Sequence, residues 1–298
     1  MITSEILSAA FKGFKTLYTD AYNKAPVYYD KIAMTVPSSG RDETYGWLGQ
    51  FPQLREWLDG DRVVKELGEH GFTIANRKFE STIEVARDDF DDDKLGIFKP
   101  QMTEMGHRAR QHPDELIFEL LPTGFTSLCY DGQNFFDADH PTPDKDGTLV
   151  TVSNMQAGTG PTWYLFDTTR TIKPIIWQER AKYEFTQVTD KNDLGVFMSD
   201  KYYYGIRARV NAGFGLWQLV YASKAPLTAA NYQAARTAMM QLRGDQGRML
   251  GINPSTLVAP AALEGDARRL MNSEFIESGV SNAWKGTADL IVTPYLNG

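Results

Sequence analysis

The chain has 298 residues, 42% hydrophobic and 23% charged, which is enough to bury a large core and excludes a disordered, collagenous or membrane-embedded class. Its net charge is −7 and its pI is near 5.2, so it should repel a polyanion. That disfavours a dedicated nucleic-acid reader, yet it suits a container whose lining must let nucleic acid slide.

One cysteine, Cys129, excludes an intramolecular disulfide framework and fits a reducing compartment, where it reads as a small buried apolar side chain. No run reaches the roughly 18 apolar residues needed to span a bilayer. Glu5, Lys12 and Lys15 interrupt the N-terminal pattern where a signal peptide would be continuous. A soluble, intracellular protein that makes no membrane contact is expected.

In chain order, Ile6, Ala10, Phe14, Leu17 and Tyr18 recur at helical spacing and predict an amphipathic helix from Ser4 to about Tyr22 that docks on protein. Pro26 and Pro37-Ser38-Ser39-Gly40 then predict an extended, arm-like segment. From Tyr45 to Trp57, four large aromatics among glycines and a proline show no clean period, so the segment has little regular structure with which to bury its own rings. Residues 62–67, a turn at Gly68-Glu69-His70-Gly71, and 72–87 read as a long β-hairpin. On its second arm Phe79, Ser81, Ile83 and Val85 alternate with Glu80, Thr82 and Glu84.

Asp88, Asp89, Asp91, Asp92 and Asp93 precede the most helical stretch, Pro100 to Leu121, and are expected to cap it. Pro113 predicts a kink or restart after His112. Residues 130–160 read as a long surface loop, and 163–188 and 202–221 as β-structure. A helix from Thr228 to Arg243, capped by Thr228 and ended by Gly244, carries Tyr232, Ala235, Met239 and Leu242 as its apolar stripe. Strand 256–259, helix 261–271 and strand 290–293 complete an α+β order with no βαβ alternation.

Chemistry is sparse. There is no phosphate loop and no nucleophile elbow, and Gly213-Phe214-Gly215 lacks the third glycine of a dinucleotide fingerprint. The histidines are His70, His107, His112 and His140, none in a His-Glu-x-x-His arrangement. Asp137, Asp139 and His140 supply part of a metal site, but these are also ordinary turn residues, and no tightly bound metal or cofactor is expected there. The Asp88–Asp93 run lacks the spacing of an EF-hand loop. The aromatics around Trp47 and Trp57 lack a convergent polar set for a sugar or base, so burial against protein is the expectation.

Several long words nevertheless resemble the major head subunit of Mu-like phages, the gpT family. They are Thr44-Tyr45-Gly46-Trp47-Leu48-Gly49, Leu54-Arg55-Glu56-Trp57, Gly60-Asp61-Arg62-Val63-Val64, Phe79-Glu80-Ser81-Thr82, Gln111-His112-Pro113-Asp114-Glu115-Leu116, Cys129 through Asp137, and Val152-Ser153-Asn154-Met155. The resemblance implies the major capsid fold of tailed phages and herpesviruses, with an N-terminal arm, an extended loop, a peripheral domain built on a spine helix, and an axial domain. Mapped on this chain, these are 1–40, 41–87, 88–221 and 222–298. It also implies a shell of hexamers and pentamers around double-stranded DNA, with a portal and a decoration protein as partners; because the sequence starts at the arm with no long charged helical prefix, a scaffold encoded separately is expected. The shell would be assembled in the host cytoplasm and found in the virion.

No catalytic residue is carried over. Lys65 and Lys78 lie in the loop, but no motif marks either for a covalent cross-link. Trp47, Phe51, Arg55, Trp57, Arg62, Phe79 and Arg87 are the residues expected at contacts between subunits, with Arg55, Arg62 and Arg87 binding carboxylates of a neighbour in two-pronged geometry. The alternatives are a nanocompartment shell of the same fold and a metal-dependent hydrolase using Asp137, Asp139 and His140.

Overall fold

The computed structural model describes residues 3–48, 72–92, 94–144, 146, 148–244, 247–276 and 279–296. In chain order the elements are α1 (Ser4–Lys24), α2 (Tyr29–Ile32), β1 (Ala33–Pro37), β2 (Asp42–Tyr45), β3 (Phe72–Ala75), β4 (Arg77–Ala86), α3 (Arg87–Asp91) and α4 (Lys99–Thr123). They continue with β5 (His140–Pro143), β6 (Leu149–Val152), β7 (Met155–Gln156), β8 (Trp163–Phe166), β9 (Ile175–Val188), α5 (Leu194–Ser199) and β10 (Lys201–Phe214). The last are β11 (Val220–Ser223), α6 (Ala229–Met240), β12 (Thr256–Pro260), α7 (Glu264–Asn272) and β13 (Asp289–Thr293).

Two sheets organise the chain. The first has four strands in the order β1-β9-β10-β4, with β1 parallel to β9 and the other pairs antiparallel. The second has five strands in the order β13-β12-β8-β11-β7 and draws strands from both sides of residue 221. The short pairs β2–β3 and β5–β6 stand apart.

The core is correspondingly split. A larger cluster gathers the second sheet with Tyr232, Ala235 and Met239 of α6 and Ala267, Leu270 and Met271 of α7. A smaller one gathers Phe14 and Tyr18 of α1 with Val85, Phe185, Tyr202 and Tyr204 at the far ends of β4, β9 and β10. Helix α4 serves both: Met102, Met105 and Ala109 enter the smaller cluster, whereas Ile117, Phe118 and Leu121 enter the larger. This 25-residue helix thus buries one end in each core and ties the two clusters to one element. Helix α1 crosses α4 at Gly106, where a Cβ would collide with the backbone carbonyl of Tyr18, so only glycine permits this approach.

Several segments depart from the sequence reading. Residues 26–40 are not simply extended: α2 forms, and β1 is an edge strand of the first sheet. The strand expected over 72–87 breaks at Asn76, whose N–H donates to the Arg41 carbonyl, so that β3 pairs with β2 while β4 pairs with β10. The other arm of the expected hairpin, 62–67, lies outside the described residues. Asp88 and Asp89 do not cap the long helix but occupy the first turn of α3; α4 starts at Lys99 with Pro100 in its first turn and no side-chain cap.

Pro113 neither stops nor restarts α4. A mid-helix proline costs about 3 kcal/mol. Here Ala109, Ile117, Phe118 and Leu121 are all buried around it, and that packing outweighs the lost hydrogen bond. The 130–160 loop contains the β5–β6 hairpin and β7.

Candidate assembly surfaces

The β2–β3 ribbon pairs Asp42–Tyr45 with Phe72–Ala75, and its base is held by several bonds. Glu43 accepts the N–H groups of Ser39 and Gly40 and the Ser38 hydroxyl, and these bonds hold its carboxyl below the usual range. Gln178 of β9 donates to the Ile74 carbonyl at 3.0 Å and the Asn76 side chain at 2.9 Å, and accepts the Tyr45 hydroxyl at 2.8 Å. Ile74 lies flat on Gly213 of β10, where any Cβ would overlap it.

A second projection is the β9–β10 hairpin, with 14 residues in each strand. Its tip is α5, capped by Asp193, which accepts the Gly195 N–H, and closed by Asp200 at φ 54°. Val196 faces inward, fully buried, whereas Leu194, Phe197 and Met198 are 74%, 73% and 75% exposed. Spacings of three and four residues place these side chains on one face. A single-turn helix with three large apolar side chains in water marks an interaction surface.

Comparison with known proteins decides what these projections belong to. Residues 7–296 match the family model described as the Mu-like prophage major head subunit gpT. The chain is 43% identical to the major capsid protein of Escherichia phage Mu, covering 99% of this chain and 100% of that protein. It is 42% identical to the Mu-like prophage FluMu major head subunit of Haemophilus influenzae, covering 99% of both. This chain belongs to the Mu-like major head subunit family.

Solved structures agree. A subunit of the bacteriophage JBD30 procapsid superposes with a TM-score of 0.88 at 44% identity, covering 99% of this chain and 100% of that one. A subunit of the JBD30 capsid superposes at 0.75 with 33% identity and full coverage of both chains, so the present conformation lies nearer the procapsid subunit. The α+β fold is thus that of phage major capsid proteins. A Mu-like head subunit is a structural protein of the virion shell and not an enzyme, which removes the hydrolase reading.

Within this head subunit the expected contact residues fall into three groups. Phe51, Arg55, Trp57 and Arg62 lie outside the described residues, as does Lys65. Trp47 is half-buried against its own chain, edge-on to Tyr45 with ring centroids 6.2 Å apart. Phe79 is also half-buried within the chain, between the His112 ring at 4.3 Å and the Arg77 guanidinium at 5.0 Å. Arg87 already has a carboxylate in its own chain: its Nη1 donates to Asp200 Oδ1 at 2.7 Å, clamping the start of α3 to the end of α5. In the subunit this pair forms because β4–β10 pairing brings residue 87 beside residue 200.

Asp137 and Asp139 hydrogen-bond to each other, but with His140 they do not form a three-donor group among the described residues. Burial would raise the Asp137 carboxyl, but the N–H groups of Ala138 and Asn134 and the Asn134 amide outweigh it and hold it low, as a loop anchor. His140 instead joins Asp131, Nδ1 to Oδ2 at 2.8 Å, and Cys129 Sγ donates to the other Asp131 oxygen at 3.0 Å. The His140 ring is fully buried and stacked on Trp217, with centroids 3.9 Å apart and planes 12° apart. Burial, then the Asp131 carboxylate, pushes the Cys129 thiol up. This constellation was not legible in the sequence: the spacing Cys-x-Asp-x₈-His matches no familiar ligand pattern, and the loop is folded back by the bridge between Leu128 and Asn134 and by backbone bonds such as Cys129 N–H to the Gln133 carbonyl.

Proposed function

We propose that this subunit forms hexamers and pentamers that close into an icosahedral head around double-stranded DNA. Assembly takes place in the host bacterial cytoplasm with a separately encoded scaffold, a portal and a decoration protein as partners. Residues 1–40 act as the arm, 41–87 as the extended loop mounted on the β2–β3 base, and α4 as the spine helix of the peripheral domain. The five-stranded sheet with α6 and α7 forms the axial part near the centre of each capsomer.

The observation that supports this best is the exposed α5 face at the end of the β9–β10 hairpin, in a chain similar over its whole length to a procapsid subunit. A second copy is the occupant that a shell supplies to every such face. The net charge of −7 fits a wall that DNA can slide along. Electron microscopy of the chain co-expressed with its scaffold tests the reading: capsomers or closed particles are expected, and monomers alone at high protein concentration would overturn it.

A further inference from the structure

We infer that Cys129, Asp131 and His140 form a binding site for one zinc-class divalent cation, which staples the loop after the spine helix to the start of β5. Their ligand atoms all lie within 4.8 Å of one another, the only such three-donor group among the described residues. Cys129 and His140 are buried, and the Asp131 side chain is 12% exposed, so one side of the cluster reaches water.

The donor set selects the metal. A thiolate, an imidazole and one carboxylate suit zinc, whereas calcium and magnesium require mostly oxygen ligands. The charges also close, because a thiolate and a carboxylate neutralise a divalent ion in a site too dry to leave charge uncompensated. Zinc bond lengths of about 2.0–2.3 Å place donors of a tetrahedron roughly 3.3–3.6 Å apart. Hydrogen bonds now join His140 Nδ1 to Asp131 Oδ2 at 2.8 Å and Cys129 Sγ to Asp131 Oδ1 at 3.0 Å, and a metal would take the place of the two protons that these bonds hold.

His140 presents Nδ1 to the cluster, and its Nε2, buried and without a hydrogen-bond partner among the described residues, is the ring atom that takes up the displaced proton, at the cost of a buried unpaired N–H. On binding, the cation takes the place of the Cys129 thiol proton, which leaves to solvent. The Nδ1 proton of His140 moves to Nε2, and Asp131, already a carboxylate, changes only its partner. One cation enters and one proton leaves.

The test uses the purified full chain, stripped with a chelator and titrated with Co²⁺ and then Zn²⁺. One equivalent of Co²⁺ should bind with a thiolate-to-cobalt charge-transfer band, release one proton, and be displaced by Zn²⁺. Loss of an outer-shell partner already weakens metal sites about 10- to 100-fold, so Cys129→Ser should abolish the band and weaken binding by at least about 100-fold. Asp131→Asn, which keeps shape, should weaken binding in the same direction. Absence of stoichiometric Co²⁺ or Zn²⁺ binding to the wild-type chain overturns the inference, whatever the variants do, as does a band that survives in a folded Cys129→Ser chain.

Discussion

The carboxylate of Asp114, buried midway along α4, accepts the backbone N–H of Tyr29 at 2.6 Å and that of Tyr28 at 3.0 Å, so α4 caps the small helix α2 that leads into β1. Burial pushes this carboxyl up to about 6, against the pull of the two N–H donors. Because the folded value lies above the unfolded one, the stabilising contribution is complete below the unfolded pKa near 3.8 and is lost as pH rises through about 6. Asp114→Asn removes that titration. The stability of the variant relative to wild type, read from urea midpoints, should therefore improve between pH 4 and pH 7. A difference that does not change with pH would refute the assignment.

Gly106 is the point where α1 and α4 meet backbone to backbone. Replacing it with alanine gains about 1 kcal/mol of helix propensity, so an exposed site would be stabilised. Here the new methyl meets the Tyr18 carbonyl, and overpacking of this kind costs roughly 1–3 kcal/mol. Gly106→Ala should lower the melting temperature by a few degrees. A variant that melts at or above the wild-type temperature would show that the helices are not held this close.

What the sequence disclosed was periodicity and local turn chemistry. The helical spacing in α1, the Thr228 cap of α6, and the alternation in β4 are local properties, and each is found as expected. What it hid depends on which distant residues meet. Nothing near Val85 announces that its strand will pair with Tyr202, and nothing near Asp114 announces that its carboxylate will serve Tyr28 and Tyr29. The same limit explains His140. Its neighbours in sequence, Asp137 and Asp139, invited a metal reading, while its neighbours in space are Asp131 and Cys129.

The Arg87–Asp200 pair is open to solvent, with side-chain exposures of 38% and 64%. Screened pairs of this kind contribute little. Arg87→Ala should thus leave the subunit folded with a urea midpoint close to that of wild type, and any deficit should shrink in high salt. A large loss would mean that Arg87 does more than clamp α3 to α5.

Leu194, Phe197 and Met198 give the sharpest separation between folding and assembly. None is buried in the subunit, so Leu194→Ser with Phe197→Ser should change its stability by within about 0.5 kcal/mol, and its circular dichroism should match wild type. In a shell, the same face is expected to be covered by a second copy, and removing two large apolar side chains there deletes attraction at every repeat of the contact. Repetition amplifies the loss, because a closed particle needs all of its contacts together. Particle yield by sedimentation and electron microscopy should fall sharply while the subunit remains folded. Normal shells in normal amount would show that the α5 face stays in solvent after assembly, and an unfolded variant would show that α5 supports the hairpin from which it projects.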